Sequence, residues 1–386
     1  MIPLSVPNIK GNEWQYVKEC LDTEWVSSVG KYVNRFEEDI CRFTGAGYAV
    51  ACVNGTAALQ VALRLVGVQP GDEVIVPTLT FIAPVNAVRY LHAEPIFMDC
   101  DKFYNLDIEK TIEFITTQTE VKNGYTFHKN TGKRIPALVA VHVFGNPVNL
   151  SPLLEICKER NIKVVEDAAE SIGSRYIKGP LSGKYTGTIG DIGIYSFNGN
   201  KIITTGGGGM IVTNNPDYAE KAKYLTTQAK DDPLYYIHNE VGYNFRLTNI
   251  QAAMGVAQLE LLPEFIEIKK NNYDKYKSAI SQISGLSLAE VPEYSEPNYW
   301  FYCLQIDADQ YGMNRDELMQ YLNSRGIQVR PIWHLNHLQK PYQQCFHYRI
   351  EQAFKLFENT INIPCSTNLT DEQLKKVVEN LSNAGN

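Results

Sequence analysis

Three segments of this 386-residue sequence carry side chains whose types and spacing could do chemistry. The run Asn54-Gly55-Thr56-Ala57-Ala58-Leu59 follows an apolar stretch and opens a helical pattern. Free backbone N–H groups and the positive end of the helix dipole make such a turn a seat for phosphate, and small residues let the anion approach the backbone. A plain strand-to-helix turn uses the same residues, so this run alone does not decide. Val164-Val165-Glu166-Asp167-Ala168-Ala169 ends an apolar run in carboxylates. In an open parallel sheet the ligand crevice lies beyond the C-terminal strand ends, where Asp167 could reach a ligand; a solvated acid at a strand end is the alternative. In Tyr195-Ser196-Phe197-Asn198-Gly199-Asn200-Lys201, a lone lysine follows a hydroxyl by five residues and precedes the glycine run Gly206 to Gly209. Such a lysine could condense with a carbonyl group, or it could sit on the surface beside a loop. The glycines lack the Gly-Lys-Ser/Thr of a nucleotide-binding loop and do not open a helix as a dinucleotide fingerprint would.

Taken together, a phosphate seat, a strand-end aspartate and a downstream lysine, in that order on a parallel sheet, are the parts needed to hold pyridoxal phosphate.

The elements that must position them can be read from periodicity. Short apolar runs at 48–53, 74–77, 95–99, 137–144, 164–167, 192–197 and 210–213 alternate with helical patterns, which predicts a mainly parallel sheet with helices on both faces. Two amphipathic helices precede it, the second with Val33, Phe36, Ile40 and Phe43 on one face. Ser151-Pro152 and Asn215-Pro216 read as capping residues before a proline, and Thr248 with Gln251 and Thr370 with Gln373 have capping-box spacing. Residues 121–135 read as a polar surface excursion. A helix around 263–283 carries the chain into a smaller α+β unit, so the expected domains are 1–260 and 261–386.

A chain of this length can bury a large core without disulfides or a metal. Hydrophobic residues at 44% and charged residues at 20% exclude a disordered or fibrous chain. The net charge of -7 disfavours a nucleic-acid or anionic-membrane surface as the main function. Eight cysteines are scattered singly, without metal-ligand or redox spacing, and no metal is expected. With neither a leader pattern nor an apolar span at hand, a cytoplasmic protein is expected.

The segments Asn54-Gly55-Thr56-Ala57-Ala58, Pro77-Thr78-Leu79-Thr80-Phe81, Glu166-Asp167-Ala168-Ala169-Glu170-Ser171, Ser196-Phe197 with Lys201, and Gly242-Tyr243-Asn244-Phe245-Arg246-Leu247 resemble, in the same order along essentially the whole chain, the DegT/DnrJ/EryC1/StrS sugar aminotransferases. The resemblance implies the aspartate-aminotransferase type of fold (fold type I): a large domain with a mainly parallel sheet and a smaller C-terminal α+β domain. Segments 25–30, 201–206 and 326–331 are most similar to the legionaminic-acid-pathway branch, with perosamine synthases close by. That branch implies transfer of an amino group from L-glutamate to C4 of a nucleotide-linked 4-keto-6-deoxy sugar, here UDP-4-keto-6-deoxy-N-acetylglucosamine, feeding surface polysaccharide synthesis. A GDP-perosamine-type reaction is the alternative. The family's sugar dehydratases have His at the lysine position, so Lys201 argues against them, and intact Lys201 and Asp167 argue against a non-catalytic binding protein.

By the same resemblance, Lys201 would bond to the cofactor, be displaced by glutamate and then carry the proton between donor carbon and cofactor. Asp167 would keep the pyridine nitrogen protonated. Gly55, Thr56 and Ser196 would hold the phosphate, and Phe81 would cover the ring. Asn244 would reach the phosphate of a neighbouring subunit, which implies a homodimer with shared active sites. Two departures are notable: Glu170, near the cofactor's ring oxygen, stands where many members have Gln, and Gly207 where many have Glu. Trp25 and Ser28 match a segment lining the sugar-nucleotide pocket, a half-buried loop aromatic being the alternative for Trp25. Arg330 or His337 would face the diphosphate; a structural role is the alternative for His334 and His337.

Overall fold

The computed structural model describes residues 1–385. Its main sheet has eight strands in the order Tyr48–Cys52, Gly209–Thr213, Ile192–Ser196, Lys163–Asp167, Ala137–Val141, Glu73–Pro77, Glu94–Met98, His347–Tyr348. The strands Glu73–Pro77, Ala137–Val141, Ile192–Ser196 and Gly209–Thr213 are buried along their whole length, as unbroken apolar runs covered on both faces must be. Every strand runs the same way except Gly209–Thr213, which is antiparallel to both neighbours. Register then fixes the site: Cys52 lies opposite Gly209, Gly209 opposite Ser196, and Ile194 opposite Asp167. The turn after Cys52, the Ser196 hydroxyl and the Asp167 carboxylate therefore meet at one edge of the sheet.

Several local rules hold. Asn215 caps the helix Pro216–Thr226, and Thr248 and Thr370 each form a reciprocal capping box with the glutamine three residues on. Ser151 is not a cap. Leu150 already has helical dihedrals (φ -70, ψ -24), so Ser151 is the first helical residue and cannot take the extended backbone that capping needs. The strand expected over 137–144 stops at Val141. Asn105 Oδ1 and Glu170 Oε2 take the N–H groups of Val143 and Phe144, which draws the chain off the ladder into a short turn with Phe144 at φ 56. Residues 119–128 form a hairpin whose tip is exposed and whose base is anchored by His128 Nδ1, 2.8 Å from Glu73 Oε2.

A second, antiparallel sheet orders Leu286–Leu288, Tyr302–Ile306, Thr360–Ile363 and Arg330–Pro331. It shares a separate apolar core with the helices Arg315–Ser324 and Asp371–Ala384, through Leu318, Leu322, Val377 and Leu381. One 32-residue helix, Asn249–Ile280, joins the two cores and is continuous through Pro263 and across residue 260. The traffic also runs the other way. Ile332, Leu335, Tyr342 and Leu356 pack into the core of the large sheet, His347–Tyr348 adds its edge strand, and Ile2 belongs to the second core. Asp99, at the end of Glu94–Met98, secures this return by accepting from the backbone N–H groups of Glu351, Gln352 and Ala353, each at 2.9 Å, and from Lys110 Nζ at 2.6 Å.

Candidate active site

The helix Gly55–Leu65 begins at the sheet edge with Asn54 as its cap: the Asn54 backbone is extended and its Oδ1 accepts from Ala57 N at 2.8 Å. Tight approach here depends on two glycines. A Cβ on Gly55 would lie 2.9 Å from Ser196 Cβ, and one on Gly209 would lie 2.5 Å from the Asn54 carbonyl. No larger side chain fits between the helix start and the strand ends, so the first-turn N–H groups and the Ser196 hydroxyl form a concave, donor-rich seat suited to phosphate. This seat opens into a cavity of about 790 Å³ lined by Gly55, Thr56, Phe81, Asp167, Glu170, Ser196, Lys201 and Arg330. Eight residues singled out from sequence thus share one chamber.

Within it, Lys201 Nζ is 3.7 Å from Glu170 Oε1, and both side chains are nearly enclosed. Burial pushes the Lys201 amine down from its ordinary range, against the pull of Glu170 and Asp167. Burial also pushes Glu170 up to about 7, opposed by Lys201 and by the Phe144 N–H that Oε2 accepts at 2.8 Å. Asp167 is raised by burial too, opposed by the Ala169 N–H on Oδ1 at 3.0 Å and by Lys201. All three groups are moved toward their neutral forms, and lowering an amine's pKa raises the fraction able to act as a nucleophile toward a carbonyl. His142 has its tautomer fixed: Nδ1 accepts from Val148 N at 3.0 Å, so Nε2 carries the proton and donates to Glu166 Oε2 at 2.9 Å. Glu166 is held in turn by the N–H groups of Gly187, Ile189 and Gly190.

The Glu170 shift sets a pH signature for the cofactor-free protein. A carboxyl raised from 4.5 to about 7 on folding binds more proton in the native state across that window. Its contribution to stability is present below the window and is lost as pH rises through it. Glu170→Gln is therefore expected to gain thermal stability relative to wild type as pH climbs from about 4.5 to 7, with the difference level above that. Melting curves of both proteins across pH 4 to 9 check this; a difference that does not vary with pH would contradict it.

Four sequence-selected residues lie elsewhere in the chain. Trp25 and Ser28 line a second groove of about 530 Å³, together with Lys31, Lys223 and Arg246. Trp25 is exposed there, and Asn244 is exposed and lines neither space. His337 does not face a diphosphate. It is buried behind the cavity with Nδ1 2.6 Å from Thr78 Oγ1, against Phe97, His347 and Phe354, and burial together with His347 and His334 lowers it to about 4. It is neutral at physiological pH and turned into the core. Gly207 lies instead at the start of the long helix, where its carbonyl accepts from Gln251.

Of the opposite wall, only Arg330 is marked by the sequence pattern. Trp300, Phe301, Trp333 and Asn362 come from the second sheet and its connections, and Leu4 from the start of the chain. Trp333 stacks on Phe144 at 4.6 Å and lies 6.2 Å from Phe81, so the chamber has an aromatic side facing its charged floor. An amine, a carboxylate beyond a strand end and a phosphate seat around one chamber fit an aromatic aldehyde that bears a phosphate and a basic ring nitrogen.

The sequence pattern of the DegT/DnrJ/EryC1/StrS aminotransferase family matches residues 7–382. The chain is 36% identical over 379 residues to GDP-perosamine synthase of Caulobacter vibrioides, covering 98% of this chain and 96% of that protein. It is 37% identical over 382 residues to GDP-perosamine synthase of Escherichia coli O157:H7, covering 99% and 98%. Among solved structures it is similar to the aminotransferase TlmJ from Streptoalloteichus hindustanus, with a TM-score of 0.87 at 27% identity over 100% of this chain and 98% of that one.

Proposed function

From its membership of the DegT/DnrJ/EryC1/StrS aminotransferase family, we propose that this chain moves an amino group from L-glutamate to C4 of a nucleotide-linked 4-keto-6-deoxyhexose. The observation that carries this reading is Lys201, Asp167 and the Gly55 turn around one chamber. Pyridoxal 5'-phosphate is the cofactor, as the name of a 35% identical relative, a putative pyridoxal phosphate-dependent aminotransferase of Bacillus subtilis, supports, and when bound it supplies an aldehyde that takes the amino group and a ring that draws in electrons. The chain's own residues do the rest. The helix start at Gly55 and Thr56, with Ser196, binds the phosphate. Asp167 holds a proton on the ring nitrogen. Lys201 Nζ would hold the aldehyde and, when free, would move a proton from the donor α-carbon. Phe81 and Trp333 offer aromatic faces to ring and sugar, and Arg330 offers a guanidinium to the substrate's diphosphate.

Because Trp25, Ser28 and Asn244 lie outside the Lys201 chamber of their own chain, their proposed contacts with substrate and phosphate require a second subunit, hence a homodimer with shared sites. All eight cysteines are unpaired, which supports a reducing compartment, the cytoplasm; no helix among the described residues is long and apolar enough to cross a membrane.

For the sugar, the segments 25–30, 201–206 and 326–331 support UDP-4-keto-6-deoxy-N-acetylglucosamine. The identity to two proteins named GDP-perosamine synthase favours a second reading, a GDP-linked 4-keto-6-deoxy sugar. Incubation with glutamate and a panel of UDP- and GDP-linked 4-ketosugars, followed by mass spectrometry of the products, tests both. The expected result is a 4-amino sugar from the UDP-N-acetyl substrate at a kcat/KM at least about tenfold above any GDP substrate, a gap worth about 1.4 kcal/mol of transition-state binding. Preference for a GDP sugar would transfer the assignment to the second reading, and no amination of any 4-ketosugar would overturn both.

A further inference from the structure

Trp300 is fixed more firmly than a cavity-wall aromatic needs to be. Its indole Nε1 donates to Asn200 O at 2.8 Å, the carbonyl just before Lys201. Its backbone N–H donates to Asn298 Oδ1 at 3.0 Å, and Asn298 Nδ2 donates to Glu170 O at 2.9 Å and Ile172 O at 3.0 Å. Its carbonyl accepts from Lys269 Nζ at 3.0 Å, and this lysine, only 2% exposed, also donates to Cys365 O at 2.6 Å. One tryptophan from the second unit is thus tied to the turn that carries Lys201, to the turn that carries Glu170 and to the long helix. The outcome of these ties is specific: the indole ring centre lies 4.0 Å from Lys201 Nζ, with Glu170 Oε1 at 3.7 Å.

We propose that Trp300 is a positioning residue that seats the Lys201 amine on its indole face, beside Glu170, whenever that amine is not covalently engaged. This rests on the aminotransferase reading, which requires Lys201 to be released and still to act. While released, Nζ must take the proton as the donor's α C–H bond breaks, the electron pair passing to the cofactor ring, and must then return that proton to the cofactor carbon. An amine on a flexible four-carbon stem would otherwise sample the 790 Å³ chamber. The negative face of an indole attracts an ammonium, so the seat is strongest when Nζ holds the proton. Asp167 and Glu170 are the charged groups that act on Nζ from the other elements around it, and only Glu170 lies within 4 Å.

The test uses wild type, Trp300→Phe, which keeps a ring face but loses the N–H tie, and Trp300→Leu, which loses both. Single turnovers of the holoenzyme with L-glutamate and with glutamate deuterated at the α-carbon should show a rate loss of roughly a hundredfold for Trp300→Leu, the scale of a misplaced catalytic group. The Phe variant should fall between Leu and wild type, and the deuterium isotope effect should at least about double in the Leu variant as proton transfer becomes more limiting. In the cofactor-free protein, an amine-acylating reagent should label Lys201 faster in Trp300→Leu than in wild type. Slower turnover with an unchanged isotope effect and unchanged labelling would mean that Trp300 is only wall, and would overturn the seat. If wild type does not respond to glutamate at all, the donor reading fails, and the labelling rates still decide for or against the seat.

Discussion

Replacing Lys201 with alanine is expected to lower turnover of glutamate and of any 4-ketosugar by at least about 10⁴-fold, the upper range of what one acid–base group contributes. Lys201 is the only lysine lining the chamber among the described residues. Arg330 cannot replace it, because a guanidinium stays protonated and cannot accept the donor proton. The fold should survive, since Lys201 lies in a turn and its nearest carboxylate oxygen, at 3.7 Å, is beyond hydrogen-bond distance. Glu170 and Asp167 lose the cation that opposes their desolvation, and both should move further up. Stopped-flow absorbance after glutamate addition, paired with a melting curve, measures both claims. Turnover within tenfold of wild type would remove Lys201 from the chemistry.

Asp167→Asn should cost about 10²- to 10³-fold in the glutamate half-reaction, comparable to removing one preorganised electrostatic partner of a developing charge. The amide keeps the shape and can keep the 3.0 Å contact with Ala169 N–H, so packing is preserved. What disappears is the negative charge that would hold a proton on the cofactor's ring nitrogen. Near-normal single-turnover rates in this variant would reduce Asp167 to an acid at a strand end.

Sequence alone reaches the half of the site built by local rules. Runs 164–167 and 192–197 read as strands of a sheet covered on both faces, and the structure has Lys163–Asp167 and Ile192–Ser196 there; the cap that Asn54 supplies is equally local, its partner Ala57 lying three residues on, but it is the structure that shows it. The other half depends on contacts between distant segments. Trp300 meets Asn200 across a hundred residues, and nothing in Asn298-Tyr299-Trp300 marks it for a lysine turn. Lys269 sits in a helix among charged residues and reads as solvated, yet two carbonyls from other segments enclose it. His337, seven residues after Arg330, reads either as a diphosphate contact or as structural; the turn toward Thr78 that makes it structural cannot be read from the sequence. Pro263 suggested a helix start, whereas apolar contacts on both sides, from Leu259 and Leu262 to Phe265, carry the helix through it.

The first residues of this sequence are tied to its last third: Ile2 N–H donates to Gly326 O, Gln328 N–H to Ile2 O, and Cys365 N–H to Leu4 O. Leu4 also lines the chamber. A ribosome adding roughly 5 to 20 residues per second makes residues 2–4 some tens of seconds before residue 365 exists. Over that interval the emerging chain can pair its central strands, but its opening segment has no partner and the chamber has no far wall. Ordering of the pocket is thereby deferred until residue 365 has been made, so the large sheet can pair before the wall that completes its chamber exists.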